Sequence, residues 1–123
     1  MTEDCLFCKM ASGAMDVPKL HDDNLVFAIR DINPRAPVHL LIIPEHHVDS
    51  FREIGEFSAR EAKKMLEFVA GTARDAGLVD YKVQVNVGPG AGQTIFHLHW
   101  HVLGQNAHGH EHREDALTAV SEL

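Results

Sequence analysis

The chain has 123 residues, 45% hydrophobic and 24% charged, which suits one globular domain built around one core. Its 11 basic and 18 acidic side chains give a formal charge of −7, a balance that disfavours nonspecific binding to nucleic acid or an anionic membrane surface. No apolar run reaches the length of a membrane span, and the acidic start MTEDCLFCKM lacks the basic beginning and apolar stretch of a signal peptide, so a cytoplasmic protein is expected.

Residues 4–12 predict a short helical turn with Leu6, Phe7 and Met10 as its apolar contacts. KLHDDNLVFAIRD (19–31) predicts two strands joined at Asp22-Asp23-Asn24. INPRAP (32–37), with two prolines, reads as a loop, and VHLLIIP (38–44) as a strand buried on both faces. Ser58 and Glu61 fit the capping box of one long helix. Its apolar positions Ala62, Met65, Leu66, Val69, Ala73 and Ala76 recur at helical spacing up to a stop at Gly77. YKVQVNVG (81–88) sets Val83, Val85 and Val87 against Lys82, Gln84 and Asn86, the alternation of a strand with one buried face. GPGAGQT (88–94) is a glycine-rich loop, and HLHWHVL (97–103) is a strand that follows it. Several adjacent strands with one long helix predict an α+β domain over residues 1–104. Residues 105–123 are expected to form a tail, with His108, His110 and His112 in a flexible polar stretch and a short helix predicted over 114–122 around Leu117 and Val120.

The last strand carries the chemistry. Alternate side chains of a strand share a face, so His97, His99 and His101 point one way and Leu98, Trp100 and Val102 the other, into a core. The outer two histidines are about 13 Å apart along an extended chain, too far to share one metal with the middle ring unless both lie flat along the strand. A neighbouring pair can share a metal; the trio cannot easily do so. The alternative use is nucleophilic. A neutral imidazole attacks phosphorus well when an acceptor holds its other nitrogen. His99 would attack while a flanking histidine donates to the phosphate oxygens. Gly88, Gly90 and Gly92 would let the backbone approach an anion, with Gln93 and Thr94 adding donors. The same loop also serves as an ordinary hairpin connection. Cys5-Leu6-Phe7-Cys8 is either a redox pair or half of a zinc site. A zinc half-site fits better, because no strand–helix unit of the thioredoxin kind surrounds it.

His97-Leu98-His99-Trp100-His101-Val102-Leu103 resembles the signature of the histidine triad (HIT) family, His-φ-His-φ-His-φ-φ, at every position. The likeness extends from about Cys5 to Gly104, through CLFCKM, LVFAIRDINPRAPVHLLIIPEHH, the capped helix and VNVGPGAGQT. It is nearest to the nucleotide-binding branch that hydrolyses nucleoside phosphoramidates. The resemblance implies an antiparallel sheet of about five strands with one long and one short helix. It also implies cleavage of purine nucleoside 5′-phosphoramidates through a nucleotidyl-histidine intermediate on His99. His101 would bind phosphate oxygens and protonate the departing amine, and His39 would pack against the triad. Asn86, Gly92, Gln93 and Thr94 match positions at the phosphate or leaving group, and Asp31 matches a carboxylate that holds the ribose hydroxyls. Phe7, Met10, Ile32, Leu41 and Ile29 would line the base pocket; Phe7, Ile32 and Leu41 are equally readable as plain core.

The same resemblance implies a structural zinc on Cys5, Cys8, His47 and His97, with His46 as a rival to His47, and no catalytic metal or organic cofactor. It implies a homodimer joined through the long helix and the strand after it, with Phe68 as a second apolar face on that helix. The tail departs from the branch pattern, which puts leaving-group selectivity in doubt. Dinucleoside polyphosphate hydrolysis and a nucleotide-binding regulatory role with incidental catalysis are the competing functions.

Overall fold

Five antiparallel strands form one sheet in the order β1-β2-β3-β5-β4, in a computed structural model that describes residues 4–106. The expected tail helix and its histidines lie outside the described residues. Cys5 caps α1 (Leu6–Ser12), its Sγ accepting the Cys8 amide, and Gly13 at φ 87° ends it. β1 (His21–Asp22) turns through Asp23 and Asn24 into β2 (Val26–Arg30), the Asp23 carboxylate accepting the amides of Leu25 and Val26. β3 (Val38–Pro44) is the central strand, buried over Leu40–Ile43 because both faces of the sheet are covered.

α2 (Ala59–Asp75) begins where the sequence indicates: Ser58 Oγ accepts the Glu61 amide at 3.1 Å, and the Glu61 carboxylate accepts the Ser58 amide at 2.9 Å. Gly77 at φ 82° ends the turn, and the chain enters β4 (Leu78–Gln84) immediately. β4 thus starts three residues and stops four residues before the predicted strand over 81–88. Val83 pairs with Val102 and shares its face, yet it is 45% exposed, so the face expected to be buried lies open at this edge strand. The helix stripe also differs from expectation. Phe68 packs against the core, whereas Leu66 is 53% exposed on the outer side of α2.

β5 spans Trp100–Asn106 and pairs with β3 and β4. His97–His99 therefore precede the ladder; this stretch is held by the Leu98 amide donating to the Val48 carbonyl at 2.9 Å. The alternation nonetheless persists. Leu98, Trp100 and Val102 belong to the α2-side core, while His97 and His99 face Phe7 of the α1-side cluster. A short 3₁₀ segment, Phe51–Glu56, opens with a second capping box made by Ser50 and Glu53. No described helix is long and apolar enough to cross a membrane.

Candidate active site and metal cluster

A cleft of about 440 Å³ opens between α1, the β2–β3 loop and the glycine loop, with His99 and His101 in its wall. His99 Nδ1–H donates to the main-chain carbonyl of His97 at 2.8 Å, so Nε2 keeps its lone pair. The Phe7 ring stands edge-on at 5.1 Å, and burial holds the imidazole below its usual pKa, hence neutral near pH 7. A neutral ring fixed at one nitrogen is a nucleophile or base at the other.

His101 receives its tautomer from its neighbours. The Arg35 amide donates to His39 Nδ1 at 3.1 Å, which places the His39 proton on Nε2. That N–H points at His101 Nδ1, 2.9 Å away, with Asp31 Oδ2 at 3.3 Å as a second acceptor. His101 must then carry its proton on Nε2. Burial, with the adjacent rings and Arg35, pushes His101 down to about 4. His39 is also lowered, burial outweighing the pull of Asp31. Asp31 serves two structures at once, since its Oδ1 accepts the Asn33 amide at 2.8 Å and shapes the turn before the prolines.

The glycine loop is bent at Gly88 and Gly92, with φ of 87° and 92°. A Cβ on Gly92 would lie 3.2 Å from Asn86 Nδ2, and that amide donates to the Ala91 carbonyl at 2.7 Å. Gly90 needs no such freedom: a Cβ there meets nothing within 4 Å. Gln93 is buried and its side chain is turned into the loop. Oε1 accepts the Gly88 amide at 2.9 Å, and Nε2 donates to the carbonyls of Asp49 (2.7 Å) and Ile95 (3.0 Å). Asn86, Gly92 and Thr94 line the cleft; Gln93 shapes it from behind.

Phe7, Met10, Ile29 and Leu41 are both core and cleft wall, which unites the two readings of these residues. Ile32 differs. It stands 90% exposed at the lip, an apolar side chain with no packing of its own. Arg30 and Arg35 also reach the rim, and sequence reasoning passed over both.

Behind the cleft, Cys5, Cys8, His47 and His97 converge, their ligand atoms all within 4.8 Å of one another. Cys5 Sγ lies 3.2 Å and Cys8 Sγ 3.5 Å from His97 Nδ1, Cys8 Sγ lies 3.3 Å from His47 Nδ1, and the two Nδ1 atoms are 3.0 Å apart. Tetrahedral zinc, with bonds of about 2.05 Å to nitrogen and 2.3 Å to sulfur, has edges of about 3.3 Å (N–N) and 3.6 Å (S–N). The side chains fit such an ion. His97 Nε2–H donates to the Pro44 carbonyl at 2.7 Å and His47 Nε2–H to Asp49 Oδ1 at 3.1 Å, so both rings aim bare Nδ1 lone pairs at the same point. Burial and the adjacent Cys5 push the Cys8 thiol up to about 11, and two thiolates here require a cation to offset them. Burial likewise lowers His97 to about 4. His46 is not part of the cluster; its Nδ1 bonds Glu61 at 3.1 Å and its ring stacks on Phe57. Asp49 went unrecognised in the sequence, where its only signal is the spacing His-x-Asp after His47.

The HIT domain model matches residues 13–108. Protein HitA of Neisseria gonorrhoeae is 38% identical over 103 residues, covering 83% of this chain and 96% of its own. The purine nucleoside phosphoramidase of Escherichia coli is 30% identical over 106 residues, with 85% and 89% covered. Among solved structures, a HIT family hydrolase from Clostridium thermocellum superposes with a TM-score of 0.78 at 40% identity over 87% of this chain and 95% of that one. A chain with this order of strands, this histidine run and these relatives belongs to the HIT domain family.

Proposed function

We propose that this protein is a nucleotide-binding hydrolase that cleaves purine nucleoside 5′-phosphoramidates through a covalent intermediate on His99. The observation that carries the reading is the hydrogen bond from His99 Nδ1–H to the His97 carbonyl, which leaves a neutral Nε2 lone pair in the wall of the cleft. The E. coli relative named a purine nucleoside phosphoramidase supports the substrate class.

The apolar wall of Phe7, Met10, Ile29, Leu41 and Ile32 takes the base, and Asp31 takes the ribose hydroxyls. Thr94, Asn86 and the Gly92 backbone surround the α-phosphate. His99 Nε2 attacks phosphorus; the P–N bond to the leaving amine breaks as a P–N bond to His99 forms. The bound phosphoryl anion raises the proton affinity of His101, whose Nδ1 takes up a proton as His39 Nε2–H turns to Asp31 Oδ2; the imidazolium then gives the proton on Nε2 to the departing nitrogen and is left neutral. Water next attacks phosphorus, a P–O bond forming as the P–N bond to His99 breaks; His101 Nε2 takes the water proton, and the nucleoside monophosphate leaves.

The Cys5, Cys8, His47 and His97 cluster holds zinc as a structural crosslink between α1, the segment after β3 and the approach to β5. A homodimer formed through α2 and β4 would cover Leu66, Val79 and Val83, which are 53%, 74% and 45% exposed. Rapid-quench mass spectrometry with adenosine 5′-phosphoramidate is the test. An AMP mass adduct on the peptide containing His99, absent in His99→Ala, is expected. Faster turnover of a diadenosine polyphosphate than of the phosphoramidate would overturn the substrate assignment, and an adduct on another residue would overturn the mechanism.

A further inference from the structure

The metal cluster and the glycine loop share no residue, yet Asp49 is bonded to both. We propose that Asp49 is a positioning residue that couples metal occupancy of the Cys5–Cys8–His47–His97 cluster to the conformation of the glycine loop, and thereby to nucleotide affinity. The nucleotide half of this statement rests on the function proposed above.

Three hydrogen bonds run in series. His47, presenting Nδ1 to the cluster, donates from Nε2 to Asp49 Oδ1 at 3.1 Å. The main-chain carbonyl of the same Asp49 accepts from Gln93 Nε2 at 2.7 Å. Gln93 Oε1 in turn accepts the amide of Gly88, the first residue of the loop, at 2.9 Å. Gln93 is 4% exposed, so a partner lost on either side leaves a polar group stranded in the interior. Gly88 already sits at φ 87°, and the loop downstream supplies Gly92 and Thr94 to the cleft.

The series has a direction. A cation on Nδ1 locks the His47 tautomer and strengthens Nε2–H as a donor. Without one, the proton can move to Nδ1, where Cys8 Sγ at 3.3 Å offers a partner, and the bond to Asp49 is lost. The Asp49 side chain is 70% exposed, so it would turn to water and loosen its peptide plane, which the Ser50 amide bond to Glu53 then anchors on one edge only. That plane carries the carbonyl on which Gln93 depends. On the other side of this peptide segment, the Val48 carbonyl accepts the Leu98 amide beside His97, so residues 47–49 are stitched to the stretch that carries His97. The link from His97 to His99 is a separate route that orients the nucleophile and leaves the loop untouched.

The test uses the full chain with Zn²⁺ and AMP as probes. Asp49→Ala is expected to weaken Zn²⁺ about tenfold or more in competition with a chromophoric chelator, while Asp49→Asn, which keeps an acceptor, stays within about threefold. Gln93→Met contacts no metal ligand, yet it too is expected to weaken Zn²⁺ by about threefold or more. Chelating the metal from the native chain, or replacing Asp49 by Ala, should speed amide hydrogen exchange at Gly88. Saturating AMP should tighten Zn²⁺ by the same factor by which Zn²⁺ tightens AMP, as linkage demands. Unchanged Zn²⁺ affinity in Gln93→Met together with unchanged Gly88 exchange would overturn the coupling. If AMP fails to bind the native protein, the functional reading falls, while the Gln93→Met and Gly88 measurements still decide the role of Asp49.

Discussion

His39 Nε2 lies 2.9 Å from His101 Nδ1, and because the Arg35 amide occupies the far nitrogen of His39, the proton between the two rings belongs to His39. A main-chain N–H in a proline-bounded loop thus decides which nitrogen of His101 carries a hydrogen. Removing His39 frees His101 to adopt either tautomer. His39→Ala is expected to lower kcat about ten- to hundredfold with KM changed less than about threefold, the loss typical of a misplaced proton donor. Steady-state kinetics on a nucleoside phosphoramidate give the split, and imidazole ¹⁵N shifts of His101 report the tautomer.

Acid should destabilise the fold through the same ring. His101 is pushed down to about 4 from an ordinary 6.5 by burial, so between these values the unfolded chain binds the proton and the native one does not. Stability is therefore full above pH 6.5 and falls as the pH drops toward 4, by roughly 3 kcal/mol for this group. Urea unfolding at stepped pH is expected to show a slope that includes this share, and His101→Asn should reduce it, leaving what His39, His97 and His99, also lowered by burial, contribute. A parallel decline in both proteins would remove His101 from the account.

Gly92 and Gly90 make a matched pair. Gly92→Ala places a Cβ 3.2 Å from Asn86 Nδ2 at φ 92°, whereas Gly90→Ala meets nothing within 4 Å. The first is expected to cost about 1–2 kcal/mol of stability and to weaken AMP binding about tenfold. The second should do neither. Isothermal titration and thermal melts of the two variants side by side would settle the matter.

Metal content is directly measurable. One zinc per chain is expected by elemental analysis, absent in Cys8→Ser. Loss of about 2–3 kcal/mol on chelation would lower Tm by on the order of 10 °C. His46→Ala should retain the metal, since His46 bonds Glu61 and stands apart from the four ligands. Loss of zinc in that variant alone would exchange the two histidines.

What the sequence reveals depends on how local the determining interaction is. α2 is readable because its capping box closes over four residues and Gly77 stops it. β4 is misread because alternation reports a buried face, and the outermost strand has only partial cover. Leu66 and Phe68 exchange roles for a similar reason: both lie at the border of the apolar stripe, and the strands beneath decide which one is covered. For the site, alternation of His97, His99 and His101 gives the common face. The different partners of the three rings come from contacts across the chain, such as Cys5 to His97 and His39 to His101, which no local pattern contains. Asp49 escaped because half of its bonding uses a main-chain carbonyl, and carbonyls carry no sequence signal.

Ile32 at the cleft lip leaves a patch of hydrocarbon wetted on nearly all sides. A flat aromatic ligand settling there would strip ordered solvent from that methyl-rich surface. The enthalpy of association should then grow steadily more exothermic on warming, a negative heat-capacity increment that Ile32→Ser would diminish.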